Sequence, residues 1–337
     1  MAKGNRLFRR DPRNGAWGFT LIELLTAIAL TIVILALLTQ MIAATSAQWK
    51  RSNEGTKAFE SARAAFDVLT RNLSQATLGT FYEYYDSQRI PYPLAANAGP
   101  GQTNLSQVFV PSDYGRYSYL HFVTGTNLVP DQITHSAFFQ APLDFVGTGS
   151  AESAAGQLNA IGYYVAFTND LAQRPAHLPP GVPQVRNRFR LMECLQPTDE
   201  LEVYRLTNRQ WISNSLTEVR PFAENILCLV LWPKNPSTTS LIAPGFGYDS
   251  RTNWAAGITQ PVQMHQLPPV VKVMMVAIDE SSARRLDGST NFTENLFRDP
   301  DAYDADRGTL ESRLIQANIT YKIFQTEIPI RAAKWSE

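Results

Sequence analysis

One long apolar run near the start of the chain limits what this sequence can become. Residues 19–44 read FTLIELLTAIALTIVILALLTQMIAA, and Glu23 is the only charged residue among them. As an α-helix rising about 1.5 Å per residue, the run would extend about 39 Å, whereas the hydrocarbon layer of a bilayer is about 30 Å thick. The run therefore predicts a transmembrane helix over residues 19–44.

Charge is distributed unevenly around this run. Residues 1–18 contain five basic residues and one acidic residue, Asp11, and no charge follows the run until Lys50. Because Lys and Arg collect on the cytoplasmic side of membrane helices, we expect residues 1–18 in the cytoplasm and the C-terminal mass outside it. Over the whole chain Lys+Arg and Asp+Glu both number 30, so no overall basic field predicts a nucleic-acid partner.

Three interpretations of the apolar run compete. A secretory signal has an apolar stretch of about 7–15 residues followed by a small-residue cleavage site. Here the stretch is longer, and the small residue, Gly18, precedes it. A plain single-pass anchor fits the length but gives no reason for Glu23, since an ionisable group inside a membrane helix costs about 2.5–3.5 kcal/mol. The third interpretation is a processed precursor.

Gly18 followed by FTLIELL resembles the prepilin cleavage and methylation motif of type IV pilins and type II secretion pseudopilins. The resemblance implies that a prepilin peptidase cuts between Gly18 and Phe19 and methylates the new Phe19 amine. Glu23 then stands fifth in the mature chain, where family members carry a glutamate. A carboxylate buried in a helix bundle needs a partner, and the N-terminal ammonium of a neighbouring subunit would supply one.

The same helix is predicted to continue over residues 45–78 as an amphipathic segment. Its apolar residues recur at spacings of three and four, namely Phe59, Ala62, Phe66, Leu69, Leu73 and Ala76. Its charged residues face away from that stripe, namely Lys57, Glu60, Arg63 and Asp67. This pattern is typical of a helix that packs one side against a core, and Gly55 is its weak point.

Residues 79–156 contain 14 Gly or Pro residues, which predicts irregular structure with short strands and no element longer than about ten residues. A strand over residues 118–124 is the best candidate there. This stretch also holds an aromatic group, Phe81, Tyr82, Tyr84, Tyr85 and Tyr92. We expect these rings to cover the sheet from a long loop, and a binding patch is the alternative.

The C-terminal half contains the clearest strand patterns. They lie at residues 161–168, 187–195, 201–206, 225–232, 270–279 and 319–331, the last with a break near Pro329. A Pro/Gly/Asn-rich insertion over residues 233–269 and a short helix near residues 310–316 separate them. A helix first and strands later predict an α+β fold with an antiparallel sheet, as one extracytoplasmic globular domain over residues 79–337.

This half resembles a second, narrower family. The strings are RFRLMECLQP, LEVYRL, FAENILCLVLWP, LPPVVKVMMVAIDE and IFQTEIPIRAAKWSE. They resemble the Verru_Chthon cassette protein C family, itself similar to the larger minor pseudopilin J of type II secretion. The resemblance spans nearly the whole chain. It implies a pilin-like fold, a partner set encoded together and a role as a minor filament subunit.

No enzyme signature is present: GxSxG, HExxH, Walker and GxGxxG patterns are all missing. We therefore expect neither an enzyme nor a cofactor. The four histidines, His121, His135, His177 and His265, are predicted to lie on loops or strand surfaces. Cys194 and Cys228 match no zinc pattern, and they are either two buried free thiols or one bridge between neighbouring strands.

One acidic group is a weak candidate for calcium. It consists of Asp299, Asp301, Asp304 and Asp306, with Glu311 following. Calcium prefers oxygen ligands on a flexible loop, but this spacing departs from that of an EF-hand loop. The alternative is a solvated loop in which Asp304 or Asp306 caps the following helix.

The leading hypothesis is a minor pseudopilin-like filament subunit in the inner membrane, with its C-terminal domain in the periplasm. Its expected partners are the prepilin peptidase, other pseudopilins or pilins, and the inner membrane. It would assemble into a type II secretion or type IV pilus-like structure. The alternative is a minor pilin that acts as a tip binding module, whose loops over residues 79–156 contact a surface, a carbohydrate or DNA.

Overall fold

We describe the fold from a computed structural model of the chain. It describes residues 18, 20–92, 110–143, 156–171, 174–175, 177, 185–204, 209–216, 219–237, 242–255, 257–286 and 291–335. The chain divides into two compact units, Met1–Asn53 and Glu54–Glu337. One helix, α1, runs over Leu21–Ser74 and belongs to both units.

The part of α1 in the first unit is apolar and exposed. Residues Leu21–Ser46 form a helix long and apolar enough to cross a membrane. None of their side chains is buried in the structure, and Leu21, for example, is 81% exposed. The predicted N-terminal apolar helix is therefore confirmed, and its length and composition are compatible with a single-pass anchor or a signal sequence.

The part of α1 in the second unit has the predicted apolar stripe. Ala62, Phe66, Leu69 and Leu73 are buried in the main hydrophobic core. The predicted charged face is exposed. The helix continues through Gly55 without a break, because the buried stripe that follows stabilises it more than one glycine, at about 1 kcal/mol, weakens it.

Eleven strands are described, and they form three sheets. A two-stranded sheet contains β1 (Phe81–Tyr85) and β2 (Asp113–Tyr117). A six-stranded sheet contains β3 (Val123–Gly125), β4 (Gln132–Pro142), β5 (Leu158–Thr168), β6 (Arg188–Gln196), β7 (Val219–Glu224) and β9 (Tyr248–Asp249), in the order β7-β6-β5-β4-β3-β9. A three-stranded sheet contains β8 (Ile226–Lys234), β10 (Val270–Ile278) and β11 (Tyr321–Pro329), in the order β11-β10-β8. All neighbouring strands are antiparallel, so the predicted α+β class with antiparallel sheets is confirmed.

Three shorter helices are described: α2 (Gln210–Ser215), α3 (Glu280–Ala283) and α4 (Tyr303–Gln316). Four 3-10 turns accompany them, at Thr198–Glu200, Glu202–Tyr204, Pro244–Phe246 and Pro300–Ala302. Leu310 and Leu314 of α4 are buried in a second core cluster. Tyr303, the first residue of α4, is buried in the same cluster, which explains why the helix begins before the predicted range near residues 310–316.

Side chains of β4 join the larger sheet to the edge of β8. The Thr134 hydroxyl donates to the Leu229 carbonyl at 2.6 Å and accepts from the Leu229 N–H at 3.1 Å. The Leu231 N–H donates to Nδ1 of His135 at 3.0 Å. The register of β4 against β5 shifts next to these residues. The irregular part of β4 therefore supplies hydrogen-bond partners to backbone groups of β8, an edge strand whose outer groups would otherwise lack them.

The six-stranded sheet and the three-stranded sheet both contact the second half of α1. The Phe66 ring lies 5.8 Å from the Phe324 ring of β11. The Asn72 amide donates to the Tyr163 hydroxyl of β5 at 2.9 Å. Just after β11, the Arg331 N–H donates to the Ser74 carbonyl at 3.0 Å, at the end of the helix.

Most predicted strands of the C-terminal half are confirmed: β5, β6, β8, β10 and β11 match their predicted ranges to within a few residues, and β11 ends at Pro329. The strand predicted over residues 201–206 is wrong, because Glu202–Tyr204 forms a 3-10 turn; residues 205 and 206 lie outside the described residues. The strand predicted over residues 118–124 is wrong for most of its length, since β3 begins only at Val123.

The described strands within residues 79–156 agree with the prediction of short elements there. β1 and β2 have five residues each, β3 has three, and the longest, β4, has 11. Its sequence does not alternate, because Thr134, His135, Ser136 and Gln140 are all buried. Polar residues that are buried by distant parts of the chain give no local strand pattern.

Candidate functional site

The first candidate site is the start of α1. Gly18 and Thr20 are described, whereas Phe19 and residues 1–17 lie outside the described residues. The Glu23 carboxylate accepts the Thr20 N–H at 2.9 Å and the Thr20 hydroxyl at 2.8 Å. In return, the Glu23 N–H donates to the Thr20 hydroxyl oxygen at 3.3 Å. These reciprocal bonds are a capping box, which satisfies backbone donors at a helix N-terminus.

The capping box corrects one step of the sequence argument. A plain anchor does offer a reason for Glu23, because the T-x-x-E pattern at residues 20–23 caps the helix. The signal was present in the sequence and was missed. Both Thr20 bonds go to Oε2 of Glu23, and Oε1 has no hydrogen-bond partner among the described residues. The geometry therefore leaves one carboxylate oxygen open to a second partner.

The second candidate site is a cavity of about 570 Å³, here called the aromatic–arginine pocket. Its tyrosine and tryptophan lining residues come from four separate regions of the chain and are Tyr85, Tyr117, Tyr119, Tyr204 and Trp254. Ligand sites are commonly concave, mostly apolar cavities of about 300–1,000 Å³ with a few convergent polar groups. This cavity falls within that range.

The two-stranded sheet builds one wall of the pocket. Tyr85 at the end of β1 and Tyr117 at the end of β2 are buried, and the Tyr85 hydroxyl donates to the Arg116 carbonyl at 2.7 Å. The opposite wall comes from the insertion over residues 233–269, whose Trp254 ring lies 4.9 Å from Tyr85 in an edge-on arrangement. Burial raises the pKa of Tyr117, so this hydroxyl stays protonated.

Two guanidinium groups lie in the pocket lining. Arg89 stacks over Trp254 at 4.4 Å from the ring centroid and forms an ion pair with Asp113 of β2. Arg251 donates from Nη2 to the Val203 carbonyl at 2.9 Å. Burial lowers the pKa of Arg251 to about 10, which leaves the group charged at neutral pH.

A buried histidine forms part of the same lining. His265 is only 5% exposed, and its Nδ1 has no hydrogen-bond partner among the residues that the structure describes. Its ring lies 5.0 Å from the Tyr117 ring. Burial, and then the nearby charge of Arg251, lower the pKa of His265 to about 3, so it is neutral at physiological pH. Nδ1 is thus a buried, unsatisfied polar atom of a residue that lines the pocket.

The prediction that the histidines lie on loops or strand surfaces is wrong for His135, which is buried within β4. His121, His177 and His265 lie outside helices and strands, although His121 and His265 are buried. The Trp211 indole donates to Nδ1 of His121 at 2.9 Å, and Nε2 of His121 lies 2.7 Å from Asp249. Since Nδ1 accepts a bond, the proton sits on Nε2 and the ring is neutral. His121 therefore joins α2 to β9 as a structural group, and only His177 is exposed.

The acidic group proposed for calcium does not converge. Within the described residues, no group of three or more His, Cys, Asp or Glu side chains could hold a metal ion. Asp299 accepts the Asp301 N–H at 3.1 Å, and Asp306 accepts the Phe297 N–H at 2.7 Å. The prediction that Asp304 or Asp306 caps α4 is wrong, because Ala302 precedes the helix and no side chain caps it.

The two cysteines are free thiols. Cys194 on β6 and Cys228 on β8 are both buried, and they belong to separate core clusters. Burial raises the pKa of each thiol to about 12. The structure therefore agrees with the first of the two alternatives, in which the thiols pack as small apolar groups.

The expectation that the aromatic group at residues 81–92 covers the sheet from a long loop is wrong. Four of its members lie in β1, where Tyr82 and Tyr84 are exposed and contact Tyr114 of β2. Tyr85 faces the pocket instead. Sequence reasoning found these rings but not the pocket, since the lining residues lie far apart in the sequence.

Comparison of the chain with protein-family models, with curated proteins and with solved structures yielded no match in any of the three.

Proposed function

We propose that this chain is a minor pseudopilin-like filament subunit with a pilin-like fold. In this proposal a prepilin peptidase cuts it between Gly18 and Phe19, and it assembles with other pilins or pseudopilins into a type II secretion or type IV pilus-like structure. The observation that supports this most is α1, one continuous helix over Leu21–Ser74. Residues Leu21–Ser46 of this helix are predominantly apolar and exposed, and its second half is part of a folded core.

The exposed half of α1 needs an apolar environment. A soluble protein rarely leaves a continuous apolar surface of this size in water. A bilayer would cover it before assembly, and neighbouring helices of the same kind would cover it in a filament. In either case the helix must be held firmly by its own globular unit, and the burial of Leu69 and Leu73 provides that attachment.

Glu23 has two roles in this proposal. Its Oε2 caps the helix through Thr20, and its open Oε1 receives the N-terminal ammonium of Phe19 from a neighbouring subunit. An unpaired carboxylate is strongly destabilising in a low-dielectric helix bundle, and a cation that pairs with it removes most of that cost. The two roles do not compete, because they use different oxygens.

Processing is tested by replacing Gly18 with Leu and measuring the intact mass of the membrane form. We expect the wild-type chain to lose its leader and the variant to remain a precursor about 18 residues longer, as the processing motif requires. The matched control is Gly15→Leu, which places the same side chain in the leader away from the cut and should be processed normally. Equal masses for the wild type and Gly18→Leu would reject the proposal.

Assembly is tested by Glu23→Gln. Glutamine also serves in a capping box, so this variant keeps the helix cap and removes only the charge. We expect unchanged helicity by circular dichroism, unchanged cleavage, and a large fall in co-purification with sibling pilin-like proteins. Glu23→Ala removes both the cap and the charge, and its co-purification should fall no further than that of Glu23→Gln. If Glu23→Gln assembles as well as wild type, the ammonium pair has no role.

The proposed location is the inner membrane, with a single span and the globular unit in the periplasm. A C-terminal alkaline phosphatase fusion should be active, since this reporter works only after export. An active cytoplasmic reporter at the same position would contradict the orientation. We propose no enzymatic activity, cofactor or nucleic-acid partner.

A second candidate function is a binding module within such a filament. The aromatic–arginine pocket favours it, because β1, β2 and the turns next to them, all within residues 79–156, build one side of a ligand-sized cavity. A filament subunit that only assembles has no need of such a cavity.

A further inference from the structure

We infer that the aromatic–arginine pocket binds a sugar that carries a carboxylate, such as a uronic acid residue of a glycan. This inference rests on the second candidate function, binding, and is independent of how the chain is processed. It follows from three properties of the lining, which are exposed aromatic faces, two cationic groups and exposed side-chain amides.

The aromatic faces suit a sugar ring. Tyr204 is 53% exposed and Tyr119 is 38% exposed, although both line a cavity. An exposed ring at a pocket wall offers a flat apolar face at little entropic cost. The C–H face of a pyranose is a flat apolar surface of similar size, and stacking on tyrosine or tryptophan removes both surfaces from water.

The charge of the lining suits an anion. Arg89 and Arg251 both line the pocket, and no Asp or Glu is among the described lining residues. Asp113, which pairs with Arg89, and Asp249, which attracts Arg251, are not part of the lining. Arg89 is held by Asp113 and by stacking on Trp254, and Arg251 is held by the carbonyls of Tyr119 and Val203. Guanidinium and carboxylate match in geometry and form charge-assisted hydrogen bonds.

The polar part of the lining suits hydroxyl groups. Gln88 and Asn253 line the pocket and are exposed. Their side-chain amides make no hydrogen bond with another described residue, and each amide can both donate to and accept from a sugar hydroxyl. Such groups distinguish a sugar acid from an aromatic acid, which has few hydroxyls to offer.

The test uses isothermal titration calorimetry on the full chain in lipid nanodiscs, with three probes. Galacturonate carries the ring, the hydroxyls and the carboxylate. Galactose has the same ring and hydroxyl pattern without the carboxylate, and benzoate has a flat ring and a carboxylate without the hydroxyls. We expect galacturonate to bind, and galactose and benzoate each to bind at least about tenfold more weakly, since each lacks one kind of contact worth about 1–3 kcal/mol.

Two variants locate the site. Tyr204→Ala removes an exposed stacking face and should weaken galacturonate binding by about tenfold. The matched control is Tyr82→Ala, which removes a ring of similar exposure, 55%, outside the pocket and should leave affinity unchanged. Arg89→Gln should reduce the preference for galacturonate over galactose. Thermal midpoints of all three variants show whether each remains folded.

The outcomes distinguish an error in the ligand class from an error in the location of the binding site. If galactose or benzoate binds as well as galacturonate, the ligand class is wrong, while the pocket remains a binding site. If none of the probes binds at millimolar concentration, or if Tyr82→Ala and Tyr204→Ala weaken binding equally, the assignment of this pocket is wrong. Neither result bears on cleavage after Gly18, which intact mass measures separately.

Discussion

Replacing Tyr163 with Phe removes one buried hydroxyl that links helix α1 to the six-stranded sheet. The Asn72 amide donates to this hydroxyl at 2.9 Å, and the hydroxyl donates to Oε1 of Glu193 at 3.0 Å. On the far side, Nε of Arg220 donates to Oε2 of Glu193 at 2.6 Å. Phenylalanine keeps the ring and its packing, so the variant tests the hydrogen bonds alone.

The expected cost follows from the burial of the two partners. Asn72 is 9% exposed and Glu193 is 3% exposed, so neither reaches water easily. Leaving a buried polar group unsatisfied costs about 1–3 kcal/mol. Two such groups, Asn72 and Glu193, would together cost about 2–6 kcal/mol. Glu193 keeps its bonds to Arg220, so we expect a destabilisation near the lower end of that total, about 2–3 kcal/mol. For a unit of this size each kcal/mol lowers the thermal midpoint by about 2–4 °C, which predicts a fall of about 4–12 °C.

The assay is differential scanning calorimetry of the full chain in nanodiscs. Tyr164→Phe is the matched control, because it makes the same chemical change one residue along β5. Tyr164 is also buried, but its hydroxyl makes no hydrogen bond with any described residue. We expect its midpoint within about 1 °C of wild type. If the two variants unfold at the same temperature, the hydrogen bonds do not attach α1 to the sheet.

Three further outcomes are expected. Gly162→Ala should destabilise the fold by about 1–3 kcal/mol in urea titrations, because a Cβ there would overlap the buried Phe138 ring; wild-type stability would contradict that packing. Burial lowers the pKa of His135 to about 4 from 6.5, so the unfolded chain takes up this proton first. Stability should be full above about pH 6.5 and fall towards pH 4, and the slope should be shallower in His135→Gln. Cys194 and Cys228 should react with a thiol reagent only after denaturation, because both are buried with a pKa raised to about 12; rapid labelling of the folded chain would contradict this.

The sequence predicted those parts of the fold whose residues carry a local pattern. The stripe through Phe66, Leu69 and Leu73 has helical spacing, and all three residues are buried as expected. Strands β8 and β10 are continuous apolar runs, and both lie within a few residues of their predicted ranges. In each case the residues that show the period are the ones that pack, so the period is visible without knowledge of the rest of the chain.

The parts that were missed depend on contacts between distant residues. In β4, Thr134 and His135 are buried because they bond to β8, about 95 residues further along the chain. Nothing near them in sequence indicates that environment. The aromatic–arginine pocket was missed for the same reason, since Tyr85 and Trp254 meet only in the folded chain. The capping box of Glu23 is different, because its pattern was local and could have been recognised.

The bond between Arg331 and Ser74 has a consequence for the time at which this protein completes its fold. It joins the end of the first helix to the last stretch of the chain, next to β11, whose Phe324 contacts Phe66. During synthesis from the N-terminus, the apolar side of the helix therefore stays uncovered at Phe66 until β11 has been made. A chain that is truncated before β11 would leave that side open, which would make it a substrate for chaperones and proteases.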